Sequence, residues 1–219
     1  MQVRGLLAEE MNQLRREISL MAARVVEDLG KALVVLRSGD KQLAEEVKES
    51  GRTVDALQLK IEDIALALIA TQQPVARDLR ELITVFKITS NLERIGDYGI
   101  HLVKAALRLS DLPAFRSTGR IERMVETAQE MLKQAFSAYL AQDSDSARKT
   151  AALDDKIDTE HRALSEEVLA FIKEQPQLVK AAARLLRLSG YMERLGDHIT
   201  NICEGIIYMI EGSHEELND

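Results

Sequence analysis

Apolar side chains recur every three or four positions along almost the whole chain, and few residues interrupt this pattern. In the first helix the recurring residues are Met11, Leu14, Ile18, Met21, Val25, Leu29, Ala32 and Leu36. Such spacing is typical of the buried face of a long amphipathic helix. The 219 residues include only three Pro and eleven Gly, which leaves little room for turns. The sequence therefore predicts an all-α protein made of a few long helices.

Short turn signals divide the first half of the chain into three helices. The glycine after Ser38 predicts a helix end, and Asp40 predicts the cap of the second helix. Pro74, which follows Gln72 and Gln73, predicts the first residue of a third helix that runs to about Leu109. Three long helices joined by such short turns must fold back on one another as an up-down-up bundle.

The second half repeats this succession of helices and turns. The predicted helices cover residues 121–140, 147–172 and 178–211, with a cap at Asp143-Ser144 and a break at Gln175-Pro176. Asp55 and Asp158 are 103 positions apart, and small changes of offset confined to turns are expected of a duplicated unit. We expect two tandem, pseudo-symmetric three-helix bundles, residues 1–112 and 113–219. The aperiodic stretch 110–119 is the expected boundary.

Composition limits the function classes. A net charge of −7 and a pI near 5.3 argue against nucleic acid as a partner, and they suit a cation or a basic protein surface better. The sequence has neither an apolar signal region in its first 20 residues nor the ~20 consecutive apolar residues of a membrane span, so we expect a soluble, cytoplasmic protein without direct membrane insertion. Cys203 has no partner cysteine and is predicted to be a small buried side chain.

The motif Glu-Arg-x-Gly-Asp occurs twice, at residues 93–97 and 193–197. Glu and Asp, four positions apart, are neighbours on one helix face, where two like charges repel by a few tenths of a kcal/mol. The Gly between them costs roughly 1 kcal/mol relative to Ala in a helix. Because both motifs carry these two unfavourable features, we expect the motif to have a function.

In the second half, a neighbouring helix adds more acids to the motif. Helices that turn back at Gln175-Pro176 bring Glu193 and Asp197 opposite the region that contains Asp154 and Asp158. Four carboxylates around one spot are unfavourable unless a cation lies there or some of them are protonated. Ligation by oxygen alone suits Ca²⁺, Mg²⁺, Mn²⁺ or iron. The alternative is a solvated helix face, on which the neighbouring Arg forms ion pairs with the acids.

The first half has a weaker version of the same arrangement. Glu93 and Asp97 keep their places, and Asp55 is the acid expected opposite them. Gly51 and Arg52, however, stand where the second half has two further acids. Our hypothesis is that Arg52 occupies the place of the cation, so that only the second site binds metal well.

Gln-Gln-Pro at residues 72–74, combined with two Glu-Arg-x-Gly-Asp motifs at this spacing, resembles the PhoU family of phosphate-uptake regulators, and the similarity extends over essentially the whole chain. It implies two three-helix bundles that each hold metal ions or clusters on paired acids. The motif positions correspond to Glu93 with Asp97, Glu193 with Asp197, and Asp154 with Asp158. The first half departs from the pattern at Gly51, Tyr98 and His101.

The resemblance also implies a function. It suggests a cytoplasmic, often dimeric protein that acts with the ATPase of the phosphate ABC transporter and with a phosphate-sensing histidine kinase. There it would damp phosphate uptake and the phosphate-starvation response. The metal ion is left unidentified, as divalent or iron.

Two other function classes remain open at this point: a carboxylate-bridged metalloenzyme and a purely structural helical interaction protein. Four scattered His form no recognisable nucleophile arrangement, and the sequence has no Gly-rich phosphate loop. A ferritin-type di-iron enzyme needs Glu-x-x-His on two helices, and the single instance, residues 211–214, spans Gly212 at a helix end. We therefore expect a regulator with no catalytic residues.

Overall fold

A computed structural model of the chain describes residues 2–109 and 119–218, and in them the regular structure is helical throughout. The helices are α1 Gln2–Ser38, α2 Lys41–Gln72, α3 Ala76–Leu109, α4 Gly119–Ala141, α5 Ser144–Ala151, α6 Asp154–Glu174 and α7 Val179–Glu211. A 3₁₀ turn, Pro176–Leu178, precedes α7. The predicted all-α class is confirmed. None of these helices is both long and apolar enough to cross a bilayer.

The helices form two three-helix bundles, as expected. In the first bundle α1, α2 and α3 all pack on one another, and in the second α4 and α7 pack with α5 and α6, which together take the place of one helix. The predicted apolar stripe of α1 from Met11 to Ala32 is buried. The expected boundary between residues 110 and 119, and with it the division at residue 112, falls almost entirely outside the described residues.

Most of the predicted helix ends are confirmed. Gly39 has a left-handed φ of 72° and donates its N–H to the carbonyl oxygen of Val35, at 2.8 Å. The Asp40 carboxylate accepts from the first free N–H groups of α2, and Asp143 caps α5 in the same way. Gly212 ends α7 with a φ of 79°.

The third helix starts later than predicted. Pro74 is not its first residue, because α3 begins at Ala76. Gln73 and Ala76 both take left-handed conformations, with φ of 47° and 48°, so that the chain makes a compact turn around Pro74 and Val75. A proline disfavours the right-handed helical conformation of the residue before it, which accounts for the interruption at Gln73.

The predicted helix over residues 147–172 is wrong in one respect, because it consists of two helices. At Ala152 and Leu153 the pattern of backbone hydrogen bonds changes. The Leu153 N–H donates to the Thr150 carbonyl oxygen and the Lys156 N–H to that of Leu153, both at 3.1 Å. In these hydrogen bonds donor and acceptor are three residues apart, as in a 3₁₀ turn, and not four as in an α-helix. The new helix, α6, begins at Asp154, where acidic side chains favour a helix start.

The two bundles pack against each other along two helix pairs, α3 with α7 and α1 with α4. The α3–α7 pair is antiparallel: Thr84 lies against Gly205, whereas His101 lies against Tyr191. In the α1–α4 pair, the Gln129 side chain donates to the carbonyl oxygen of Val26, at 3.0 Å. The apolar residues of both bundles form one core.

Cys203 lies within this shared core. Its side chain is fully buried, as predicted, and burial raises the pKa of its thiol to about 12. A thiol with so high a pKa stays protonated at neutral pH, so Cys203 acts as an apolar core side chain.

One buried ion pair connects three helices. On α1, Arg15 donates through Nε and one terminal nitrogen to the two carboxylate oxygens of Glu81 on α3, at 2.6 and 2.7 Å. The hydroxyl of buried Tyr139 on α4 lies 3.5 Å from the same carboxylate. The side chain of Glu81 is only 2% exposed, so Arg15 supplies the charge that makes its burial tolerable.

Candidate functional site

The four acids predicted in the second bundle do lie near one another. Asp154 and Asp158 are on α6, Glu193 and Asp197 are on the adjacent α7, and all four are partly buried. Burial raises the pKa of Asp154 to about 7, and the charges of Asp158, Asp197 and Glu193 raise it further in that order, against a hydrogen bond from Thr200. Burial likewise raises the pKa values of Glu193 and Asp197.

Asp154 is the most constrained of these acids. Its Oδ2 accepts a hydrogen bond from the hydroxyl of buried Thr200, at 3.4 Å, which is a long contact. Its Oδ1 is buried and has no hydrogen-bond partner among the described residues. A buried carboxylate oxygen without a donor is unfavourable, and either a proton or a cation would relieve it.

Gly196 makes room for this carboxylate. A Cβ at position 196 would overlap with Oδ1 of Asp154, and it would lie 3.0 Å from Cγ of Asp154 and 3.1 Å from Cδ1 of Ile157. In the first copy, a Cβ at Gly96 would meet only Cγ1 of Val54, at an ordinary 3.7 Å. The glycine of the motif therefore makes room for a neighbouring carboxylate in the second bundle but not in the first.

The first bundle also groups its acids, but differently. Glu93 and Asp97 are partly buried, whereas Asp55 is exposed. Burial raises the pKa of Glu93; Asp97 and Asp55 raise it further, and Arg94 lowers it. Nε of the exposed Arg94 side chain lies 3.5 Å from the carboxylate of partly buried Glu93. The ion-pairing alternative thus applies in part to the first bundle.

An apolar side chain takes the place that Asp154 has in the second bundle. The equivalent residue is Gly51, and Cδ1 of Ile100 lies only 2.6 Å from the position of a Cβ there. Arg52, which we expected to fill the cation's place, is exposed, and it is not among the charges that shift the pKa of Glu93. The structure therefore explains the difference between the bundles by Ile100 and not by Arg52.

Sequence analysis missed Thr200, which lies next to the second group of acids. Thr200, which donates to Asp154, corresponds to Ile100 in the first copy, so a polar residue and an acid are exchanged together for an Ile and a Gly. This joint exchange is the signal that could have identified Thr200. His161, which the sequence offers as a possible further ligand three positions after Asp158, also lies near these acids: its charge lowers the pKa of Glu193, and its Nδ1 lies 2.8 Å from Oγ of Ser189.

We expect Gly196→Ala to push the Asp154 carboxylate out of its site, because the added methyl group would occupy the position of Oδ1. The pKa of Asp154 should then fall from about 7 towards the ordinary value. A ¹³C NMR titration of the carboxyl groups measures this change, and Gly96→Ala is the matched control that should leave Asp154 unaffected. An unchanged titration of Asp154 in Gly196→Ala would contradict the packing argument.

The donor set has the chemistry of a site for a hard cation. It consists of carboxylate oxygens, one of them buried without a partner, on two adjacent helices. Within residues 2–109 and 119–218, however, no group of three or more His, Cys, Asp or Glu side chains is already arranged to hold a metal ion. A bound ion would therefore require these side chains to turn towards it.

Comparisons with known proteins identify the family. Residues 18–106 and 121–206 match the model of the PhoU domain. A phosphate-specific transport system accessory protein PhoU homolog from Clostridium acetobutylicum is 31% identical over 217 residues, which cover 99% of each chain. A homolog of the same name from Caulobacter vibrioides (strain NA1000 / CB15N) is 34% identical over 210 residues, covering 95% of this chain and 90% of its own.

Solved structures agree with the sequence matches. The crystal structure of PhoU from Pseudomonas aeruginosa has a TM-score of 0.89 at 26% identity and covers 94% of this chain and 99% of its own. That of the phosphate transport system regulatory protein PhoU from Streptococcus pneumoniae also has a TM-score of 0.89, at 28% identity, and covers 96% and 99%. Because the family model matches both halves and the relatives align over nearly the full length, the chain belongs to the PhoU family.

Proposed function

We propose that this chain is a regulatory accessory protein of phosphate transport that holds a metal ion on the acids of its second bundle and catalyses no reaction. The names of its relatives support the accessory role in phosphate transport. The observation that carries the metal proposal is the partly buried group of four acids in which Asp154 Oδ1 has no hydrogen-bond partner.

The proposed ion would be held by Asp154 and Asp158 from α6 and by Glu193 and Asp197 from α7. Burial and, after it, repulsion between the acids raise the pKa values of three of them, and a divalent or iron ion there would neutralise that repulsion. Because its ligands come from two helices, the ion would also fix α6 against α7. Its role in this proposal is to stiffen a surface that other proteins recognise.

The first bundle is proposed as a weaker site on Glu93, Asp97 and Asp55. Asp55 is exposed, Arg94 already approaches Glu93, and Ile100 fills the space next to Gly51. The first bundle therefore offers an ion fewer buried, unpaired carboxylate oxygens than the second.

Metal titration tests this difference between the bundles. We expect Asp197→Ala to weaken Mn²⁺ binding at least tenfold, because it removes one ligand of the stronger site, and Asp97→Ala to change the affinity by less than threefold. Isothermal titration calorimetry on metal-free protein measures both. Equal losses from the two substitutions would refute the asymmetry, and no binding by the unmodified chain would refute the metal site.

The proposed partners are the ATPase of the phosphate ABC transporter and the phosphate-sensing histidine kinase, met in the cytoplasm by a homodimer of this chain. Pull-down of each partner by the purified chain, with and without Mn²⁺, tests the contacts, and light scattering measures the oligomeric state. Binding to neither partner, or turnover of a substrate at the metal, would contradict the proposed adaptor role.

A further inference from the structure

A small basic cleft lies where the two bundles meet, between the C-terminal third of α3 and the N-terminal third of α7. Its volume is about 130 Å³. Lys104 and Arg108 line it from α3, and Arg184 and Arg187 line it from α7. No Asp or Glu is among the described residues that line it. Four cationic side chains thus converge in a chain whose net charge is −7.

None of these four side chains forms an ion pair or a hydrogen bond with another described residue. Some arginines elsewhere in the chain do bind acids closely: Arg120 contacts Glu160 and Glu167 at 2.7 and 2.6 Å. Like charges gathered without counter-charges repel one another, and a bound anion would offset this repulsion by attracting each of the four cations.

The geometry places the four charges on two facing helix surfaces. Lys104 and Arg108 are four positions apart on α3, and Arg184 and Arg187 are three apart on α7, so each pair shares a helix face. The antiparallel packing of α3 on α7 brings the two pairs to opposite sides of the cleft.

An aromatic contact forms part of the cleft lining. The rings of His101 on α3 and Tyr191 on α7 are stacked, with centroids 4.8 Å apart and planes at 25°. Nδ1 of His101 is buried and has no hydrogen-bond partner among the described residues. The cleft therefore combines exposed cationic side chains with a stacked, partly buried polar ring.

The cleft has room for a compact anion. Its volume of about 130 Å³ is several times the roughly 10–15 Å³ that one water molecule needs. One or two tetrahedral oxyanion groups fit into such a space. Arg and Lys side chains are the usual partners of phosphate oxygens, Arg often through two parallel hydrogen bonds.

We propose that the cleft between α3 and α7 binds a compact, multiply charged phosphate oxyanion, of which orthophosphate and pyrophosphate are the simplest forms. Such a ligand would join the two bundles through residues that come from both of them. The site is separate from the acids of the candidate metal centre, and the proposal does not depend on the regulatory function.

Calorimetric titration of the purified chain with pyrophosphate tests the proposal. We expect saturable binding in 20 mM salt that weakens in 150 mM salt, because mobile ions screen the charges of the cleft. Arg184→Gln combined with Arg187→Gln should reduce the affinity at least tenfold. Arg184→Lys with Arg187→Lys, which keeps the charge, should retain more affinity than the neutral variant.

Lys133→Gln combined with Lys149→Gln is the matched control, because it removes two exposed cationic residues that do not line the cleft. This control should bind pyrophosphate like the unmodified chain. Equal losses in the control and the cleft variant would show non-specific attraction and overturn the proposal, as would the absence of any binding. Binding to phosphatidylglycerol vesicles without binding of free pyrophosphate would overturn it as well, in favour of a membrane contact.

Discussion

Arg15→Met is expected to lower the free energy of unfolding by about 3 kcal/mol, because it leaves the carboxylate of Glu81 buried without its counter-charge. Both oxygens of Glu81 are bound by Arg15, and the Glu81 side chain is 2% exposed. The Arg15 side chain is 29% exposed, which places the expected loss at the lower end of the range for buried pairs. Chemical denaturation followed by circular dichroism measures the change.

Two further variants separate this explanation from a simple loss of side-chain packing. Arg37→Met removes an exposed arginine that binds Glu122 and Glu126, and it should cost less than about 1 kcal/mol. Replacing both Arg15 and Glu81 with Met should restore at least half of the lost stability, since no buried charge remains. A double variant as unstable as Arg15→Met alone would contradict the electrostatic account.

The second large effect is a pH dependence of stability that arises from Asp154. In the folded chain its pKa is raised to about 7, whereas in the unfolded chain an Asp titrates near 4. Between these values the folded state binds more protons than the unfolded state, so its stability falls as the pH rises from about 4 to 7. Above pH 7 the full penalty of the charged carboxylate applies.

A shift of this size corresponds to about 4 kcal/mol, which we halve to about 2 kcal/mol because water reaches part of the side chain. Asp154→Asn removes the titrating group, so the variant should gain about 2 kcal/mol relative to the unmodified chain between pH 4 and pH 8. Unfolding free energies in the presence of a chelator measure this gain.

Asp155→Asn provides the control for this experiment, because Asp155 is the exposed neighbour of Asp154 in the same first helical turn. It should change the stability by a similar small amount, below about 0.5 kcal/mol, at both pH values. If the difference between Asp154→Asn and the unmodified chain were the same at pH 4 and pH 8, the raised pKa of Asp154 would be disproved.

Most helices could be predicted from the sequence, because apolar spacing, Gly39, Asp40 and Asp143 are local signals. The break between α5 and α6 could not. The apolar pattern continues through residues 147–157 without a Gly or Pro. Only the change to three-residue backbone hydrogen bonds around Ala152 and Leu153 reveals the new helix start. The late start of α3 was missed because it depends on the left-handed conformation of Gln73.

The grouping of the four acids followed from counting outward from the turn at Gln175-Pro176, which is reliable for two adjacent antiparallel helices. The same counting cannot identify contacts that depend on side-chain packing. It missed Thr200 beside Asp154, and it missed Ile100, which fills the space next to Gly51 in the first bundle. Counting from a turn could not predict the basic cleft either, because the cleft lies between α3 and α7, which belong to different bundles.

The direct test of the proposed metal site is anomalous diffraction from crystals of the chain soaked in Mn²⁺, recorded at the manganese edge. The proposal predicts a strong peak bounded by Asp154, Asp158, Glu193 and Asp197, and a weaker peak or none beside Glu93 and Asp97. Water alone between the four acids of the second bundle, or an Arg side chain turned into them, would contradict it.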